Sequence, residues 1–125
     1  MTTILFVDDH HAFRRVFAEI LRNAGYRVLE AATMADLENV LERDPGPIHV
    51  SIVESVLTTT NGSHVATRLR EPYPNLPVIF VSDYPPGELL RRGLLPEGAP
   101  FVSKHAGAEE LTRKVEDLVS ADARA

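Results

Sequence analysis

Two adjacent carboxylates, Asp8 and Asp9, directly follow a short apolar run, Ile4-Leu5-Phe6-Val7, and a third, Glu54, closes another, Ile52-Val53. Two further runs end on polar residues of complementary chemistry: Ser82 after Val78 to Val81, and Lys104 after Phe101-Val102-Ser103. If these runs are parallel strands, all five residues share the carboxyl edge of one sheet, where open α/β sheets place their binding crevice. Clustered carboxylates repel one another and raise each other's pKa values unless a cation intervenes. A hard divalent ion such as Mg2+, held by one or two carboxylates plus water, is the natural cation. It would also neutralise a phosphoryl group arriving at a carboxylate nucleophile. Lys104 could pair with that acceptor and later with a phosphoryl oxygen, and Ser82 could donate to the same oxygens. Taken singly, each residue has a plainer reading: an Asp pair caps a helix, a Ser satisfies a backbone group, and a Glu or Lys is a solvated surface residue. Their combination on one edge points to a divalent-metal and phosphoryl site.

The elements that must position these residues follow from the alternation of apolar runs and amphipathic stretches. Ile4 to Val7 is continuously apolar, as a strand buried on both faces should be. Phe13, Phe17, Ile20, Leu21 and Ala24 form a helical stripe that Gly25 stops. Arg27 to Ala31 is shorter and more polar, an edge strand. Thr33 and Asp36 form a helix-start box, with Leu37, Val40 and Leu41 as the buried face, and Asp44-Pro45-Gly46-Pro47 breaks the chain. Ile48 to Val53 is a strand, Glu54 to Gly62 a loop closed by the turn Asn61-Gly62, and Ser63 the cap of a helix carrying Val65, Ala66 and Leu69. Pro72 and Pro74 end that helix, and Val78 to Val81 is the most buried strand. Pro85-Pro86-Gly87 opens a short helix, interrupted by Gly93 and closed by Pro96. Pro100 to Val102 is the last strand, and Leu111, Val115, Leu118 and Val119 mark the final helix, with 120–125 as a frayed tail. Five βα repeats predict an α/β protein with a flavodoxin-like (βα)5 doubly wound parallel sheet of strand order 2-1-3-4-5.

At 125 residues the chain is long enough for one domain, 1–125, and too short for two. Its hydrophobic fraction of 44% and charged fraction of 25% are those of an ordinary globular protein. A formal net charge of −5 argues against nucleic acid as a partner. The absence of cysteine removes thiolate metal sites and thiol catalysis. No apolar stretch approaches the ~18 residues of a membrane span, and the first residues do not form a basic signal-peptide start. No membrane association and a cytoplasmic location are therefore expected.

On these motifs, from Thr3 to Val119, the chain resembles the receiver domains of bacterial two-component response regulators. Receivers carry an acidic pair after the first strand, an Asp after the third, a Ser or Thr after the fourth and a Lys after the fifth. Val7-Asp8-Asp9, Val81-Ser82 and Phe101-Val102-Ser103-Lys104 fit those patterns, and Gly62 fits the glycine that ends the acceptor loop. The stretch from Pro47-Ile48-His49 through Ser82-Asp83-Tyr84 to Gly93-Leu94-Leu95 looks most like receivers of hybrid histidine kinases. The resemblance implies a non-enzymatic phosphorelay module with Glu54 at the acceptor position, assisted by Lys104 and Ser82. It implies Ser82 and Phe101 as the switch pair, and Mg2+ held by Asp8, Asp9, Glu54 and the backbone carbonyl of Val56. The implied partners are a histidine kinase or phosphotransfer protein, and a second copy through the face of the fourth helix, fifth strand and fifth helix.

Several residues depart from the family pattern. Glu54 stands where receivers have their acceptor Asp, and the extra methylene moves the carboxylate by roughly 1–1.5 Å. Misplacement by about 1 Å can cost on the order of 10²-fold in a positioned reaction, so impaired phosphorylation and weakened metal binding are expected. The longer side chain could instead reach Lys104 or Ser82 and imitate a phosphorylated aspartate. Thr58-Thr59-Thr60 replaces a loop usually written with Pro and Gly, and reads as a solvated polar segment. His105 follows Lys104 where receivers usually have Pro, which puts the aim of the lysine in question. His10 and His11 are adjacent, so they do not share one helix face as metal ligands would; they read as exposed residues at the helix start. Two functions stay open, a receiver that accepts phosphoryl groups and a phosphorylation-independent pseudo-receiver. A flavodoxin would need a Ser/Thr/Gly-rich phosphate loop where Asp8 and Asp9 stand. A haloacid-dehalogenase-type phosphatase would need Asp-x-Asp there.

Overall fold

Each apolar run is followed by a helix that returns the chain to the same end of the sheet, so neighbouring strands can only be parallel. In the computed structural model, which describes residues 1–124 with the side chains of 122–124 excepted, five strands result. These are β1 (Thr3–Val7), β2 (Arg27–Ala31), β3 (Val50–Glu54), β4 (Val78–Ser82) and β5 (Phe101–Ser103), in the order β2-β1-β3-β4-β5. They alternate with α1 (His11–Asn23), α2 (Met34–Arg43), α3 (Gly62–Leu69), α4 (Pro86–Arg91) and α5 (Ala108–Arg124). This is the doubly wound, flavodoxin-like topology that the βα alternation predicts. Among the described residues no helix is long and apolar enough to cross a membrane.

The two-residue period of the strands divides the core in two. Leu5, Val7, Val53, Val78 and Phe80 pack with Leu37, Val65 and Leu89 under α2, α3 and α4. Ile4, Phe6, Val50, Ile52, Ile79, Val81 and Val102 pack with Ala18, Leu21, Leu111 and Val115 under α1 and α5. Every residue of β1, β3 and β4 is buried, which accounts for the apolar runs Ile4 to Val7, Ile52-Val53 and Val78 to Val81; the buried Ser51 Oγ donates to Leu5 O at 2.8 Å.

Local chemistry sets the ends. Thr33 Oγ1 accepts from the Asp36 N–H at 3.1 Å, the cap expected for α2. Gly25, at φ 101°, stops α1 in a left-handed conformation that glycine adopts freely. The cap of α3 differs from the expected one. Asn61 Oδ1, not Ser63, accepts from the His64 N–H, at 2.9 Å, and Gly62 is the first helical residue. The reason is close packing: the Gly62 N–H donates to Ser55 O at 2.9 Å, and a Cβ on Gly62 would lie 2.6 Å from Glu54 O. The buried stripe of α1 is Arg14, Ala18 and Leu21, while Ala24 is exposed at the C-cap. At the carboxyl end α5 extends over Ser120 to Arg124, part of the segment expected as a frayed tail; Ala125 lies outside the described residues.

Candidate functional site

Strand register brings the polar residues to one level. Val7 is paired with Ala31 and Val53, Glu54 with Val81, and Ser82 with Ser103. The ladder then runs one step further, with Asp8 N–H to Ala31 O at 3.0 Å, Ser55 N–H to Val81 O at 2.9 Å and Lys104 N–H to Ser82 O at 3.0 Å. Strand alternation decides which residues meet. Asp8 continues the series Ile4-Phe6, Glu54 continues Val50-Ile52, and Lys104 continues Val102, all on the side of α1 and α5. Ser82 continues Val78-Phe80 on the opposite side.

The outcome is a buried ion triad. Lys104 Nζ lies 2.9 Å from Asp8 Oδ2 and 3.0 Å from Glu54 Oε2, and the three side chains are only 4%, 0% and 8% exposed. The ammonium also sits 4.6 Å above the Phe13 ring. It approaches both carboxylate oxygens off the hydrogen-bond direction, so neither gains an aligned bond. Asp8 Oδ1 accepts the His10 N–H at 2.8 Å, and its backbone carbonyl accepts Arg14 Nη1 at 2.7 Å. Arg14 is fixed in turn by Glu30 Oε1, 3.0 Å from its Nε. Lys104 thus aims into the crevice with His105 beside it, and no cis peptide bond occurs among the described residues.

The electrostatics follow from two carboxylates sharing one ammonium out of water. Burial pushes Glu54 up to about 7, against the pull of Lys104 and with the help of Asp8 and Asp83. Burial also raises Asp8, again against Lys104. For Lys104 burial works against the charge, but the carboxylates of Asp8 and Glu54, at 2.9 and 3.0 Å, outweigh it and the pKa rises. Asp9 lies outside the triad. Its Oδ2 accepts from the Thr58 N–H at 2.7 Å and from Thr58 Oγ1 at 2.6 Å. Partial burial would raise its carboxyl, yet these two donors take it below the ordinary value.

Of the residues the sequence singled out, Asp8, Glu54 and Lys104 meet directly, and Asp9, next to Asp8 in the chain, is bonded to Thr58 instead. Ser82 is buried on the same edge, but its Oγ accepts the Tyr84 N–H at 3.1 Å. Of the two groups offered to the longer Glu54 side chain, it meets Lys104. Phe101 is half-buried against the core under α2 to α4, and Val56 pairs with Asn61 at the neck of the loop after β3. His10 and His11 are exposed at the start of α1, with the His10 ring stacked on Phe13. His105 is exposed, 3.6 Å from Asp83 Oδ1. Three contributors escaped the sequence reading. Thr58 lies in a run that reads as solvated loop, and Phe13 reads only as part of a core stripe. Arg14 is absent from that stripe because of its charge, although its helical spacing with Ala18 and Leu21 puts it on the buried face.

The donor set does not fit a divalent ion as arranged. Among the described residues, no three carboxylate or imidazole groups converge on one point. Asp8 holds a backbone N–H, Asp9 holds Thr58, and Lys104 lies between Asp8 and Glu54.

A family model described as the response regulator receiver domain matches residues 4–116. The chain is 28% identical over 119 residues to the sensor kinase CckA of Brucella abortus, covering 94% of this chain but only 12% of that protein. It is 25% identical over 121 residues to the response regulator receiver protein CpdR of the same organism, covering 97% and 99% of the two chains. The crystal structure of a receiver domain from the hybrid histidine kinase CckA superposes with TM-score 0.77 at 29% identity, covering 94% and 98%. The response regulator TrrA of Thermotoga maritima, solved in complex with Mg2+-BeF, shares the fold at TM-score 0.74 and 23% identity, covering 94% and 99%.

Proposed function

The chain belongs to the response regulator receiver family of two-component signalling, and from that premise we propose that it acts by protein contact with phosphoryl acceptance impaired at Glu54. Receiver domains are non-enzymatic signalling modules whose counterparts are histidine kinases or phosphotransfer proteins. The observation that carries the proposal is the 3.0 Å pairing of Glu54 with Lys104 inside a buried triad. The lysine that would meet a phosphoryl oxygen is engaged by the carboxylate that would have to accept the group. At neutral pH part of the Glu54 population is protonated as well, since its pKa lies at about 7, and a protonated carboxyl is a poor nucleophile. Family membership supports a cytoplasmic location, a kinase or phosphotransfer partner, and a second copy docking through α4, β5 and α5. The self-partnered crevice favours the pseudo-receiver form of this reading, in which the surface works without phosphorylation.

Intact-mass analysis after incubation with Mg2+ and acetyl phosphate tests the proposal, with Glu54→Asp alongside. The expected result is no added phosphoryl mass on the parent chain and a gain on Glu54→Asp. A parent chain that gains the mass refutes impaired acceptance. Two silent chains would move the cause from Glu54 to the wider crevice.

A further inference from the structure

We infer that this chain fills its acidic crevice with its own side chains against divalent cations: Lys104 is the resident cation between Asp8 and Glu54, and Thr58 is the residue that withholds Asp9. The inference deepens the receiver reading and rests on it.

The position of the ammonium carries the first half. Lys104 Nζ is within 3.0 Å of a carboxylate oxygen on each of two strands and 4.6 Å above the Phe13 ring. The ring face adds cation–π attraction, and the lysine side chain is 4% exposed. The ammonium is therefore enclosed on three sides by groups that favour positive charge. Mg2+ requires near-octahedral oxygen ligands at about 2.0–2.1 Å and keeps several waters. An ion bridging Asp8 and Glu54 would have to expel the ammonium and bring water into a buried space.

The second half rests on Asp9, the one carboxylate of the three that Lys104 leaves unpaired. Its Oδ2 receives both the amide and the hydroxyl of Thr58, at 2.7 and 2.6 Å. These charge-assisted bonds fix the carboxylate against the loop after β3, so the direction in which its other oxygen points is set by Thr58. Asp8 is engaged on both oxygens, Oδ1 by the His10 N–H and Oδ2 by Lys104 Nζ. Thr58 therefore acts as a positioning residue for Asp9, and the fold holds its crevice closed without a metal.

The test is Mn2+ titration of the isotopically labelled chain, followed by selective broadening of amide signals, with thermal unfolding in Mg2+ as a second readout. For the parent chain we expect no selective broadening at Asp9, Glu54 or Val56, and a Tm change of less than about 1 °C at roughly 10 mM Mg2+. Thr58→Ala combined with Glu54→Asp should gain both responses, and Glu54→Asp alone a weaker one. Selective broadening of the parent at submillimolar Mn2+ overturns the inference. So does a silent double variant, and Glu54→Asp alone binding as tightly as the double variant removes the role of Thr58. No phosphodonor is present, so the outcome is separate from that of the mass experiment.

Discussion

Glu54→Gln keeps the shape of the side chain and removes its charge, which isolates the electrostatic state of the triad. Burial, opposed by Lys104 and aided by Asp8 and Asp83, holds Glu54 at about 7 in the folded chain, above its ordinary 4.5. Between those values the folded state keeps a proton that the unfolded state has lost, so stability falls as pH rises from 4.5 toward 7. The interval corresponds to on the order of 3 kcal/mol, lost in full only above the folded pKa. Gln resembles the protonated form at every pH and leaves Lys104 paired one-to-one with Asp8. The variant should therefore be more stable than the parent by about 2–3 kcal/mol near pH 8, and nearly equal to it below pH 4.5. In a domain of this size that is a Tm rise of roughly 10 °C. Urea unfolding followed by far-UV circular dichroism across this pH range reads the difference, since the chain has no tryptophan. A Gln variant less stable than the parent near neutral pH, or one with an undiminished pH slope, refutes the reasoning.

Removing the other partner should act in the opposite sense. Lys104→Met leaves Asp8 and Glu54 buried without a counter-charge, at a cost of about 3–5 kcal/mol above neutral pH. The cost should shrink in acid as the carboxylates protonate, and a pH-independent loss in the same urea assay would contradict the triad. Gly62→Ala places a Cβ 2.6 Å from Glu54 O and 3.1 Å from the Phe80 ring. Thermal unfolding should show a loss of roughly 1–3 kcal/mol, as overpacking costs elsewhere, and an unchanged Tm would show that the loop after β3 yields freely.

The sheet and the edge that carries the chemistry were legible because both rest on short-range signals. Apolar runs end abruptly at Asp8, Glu54, Ser82 and Lys104, and the register of the parallel pairs does the rest. Strand alternation, also present in the sequence, separates Ser82 from Glu54 and groups Glu54 with Asp8 and Lys104. The contacts that defeat sequence reasoning are those of long separation and no period. Thr58 reaches Asp9 across 49 positions, and nothing local marks it among three consecutive threonines. The α3 cap is displaced by a closer contact that likewise has no period. Ser63 is a good cap by type, but the approach of Gly62 to the Glu54 carbonyl decides where the helix begins.

The reach of Lys104 also bears on how the sheet opens. β5 has three residues, lies at the edge of the sheet and pairs with β4 alone among the described strands, so its ladder bonds and the packing of Phe101 and Val102 are what restrain it from fraying. The lysine that follows it crosses the end of β4 and is fastened to β3 and β1. An ion pair so placed works as a stitch: β5 cannot peel away without withdrawing a buried ammonium from two carboxylates. Local opening of this edge, the kind that amide hydrogen exchange records, is thereby coupled to the charge of the crevice. Whatever alters Asp8 or Glu54 changes how often the α4–β5–α5 side of the domain loosens.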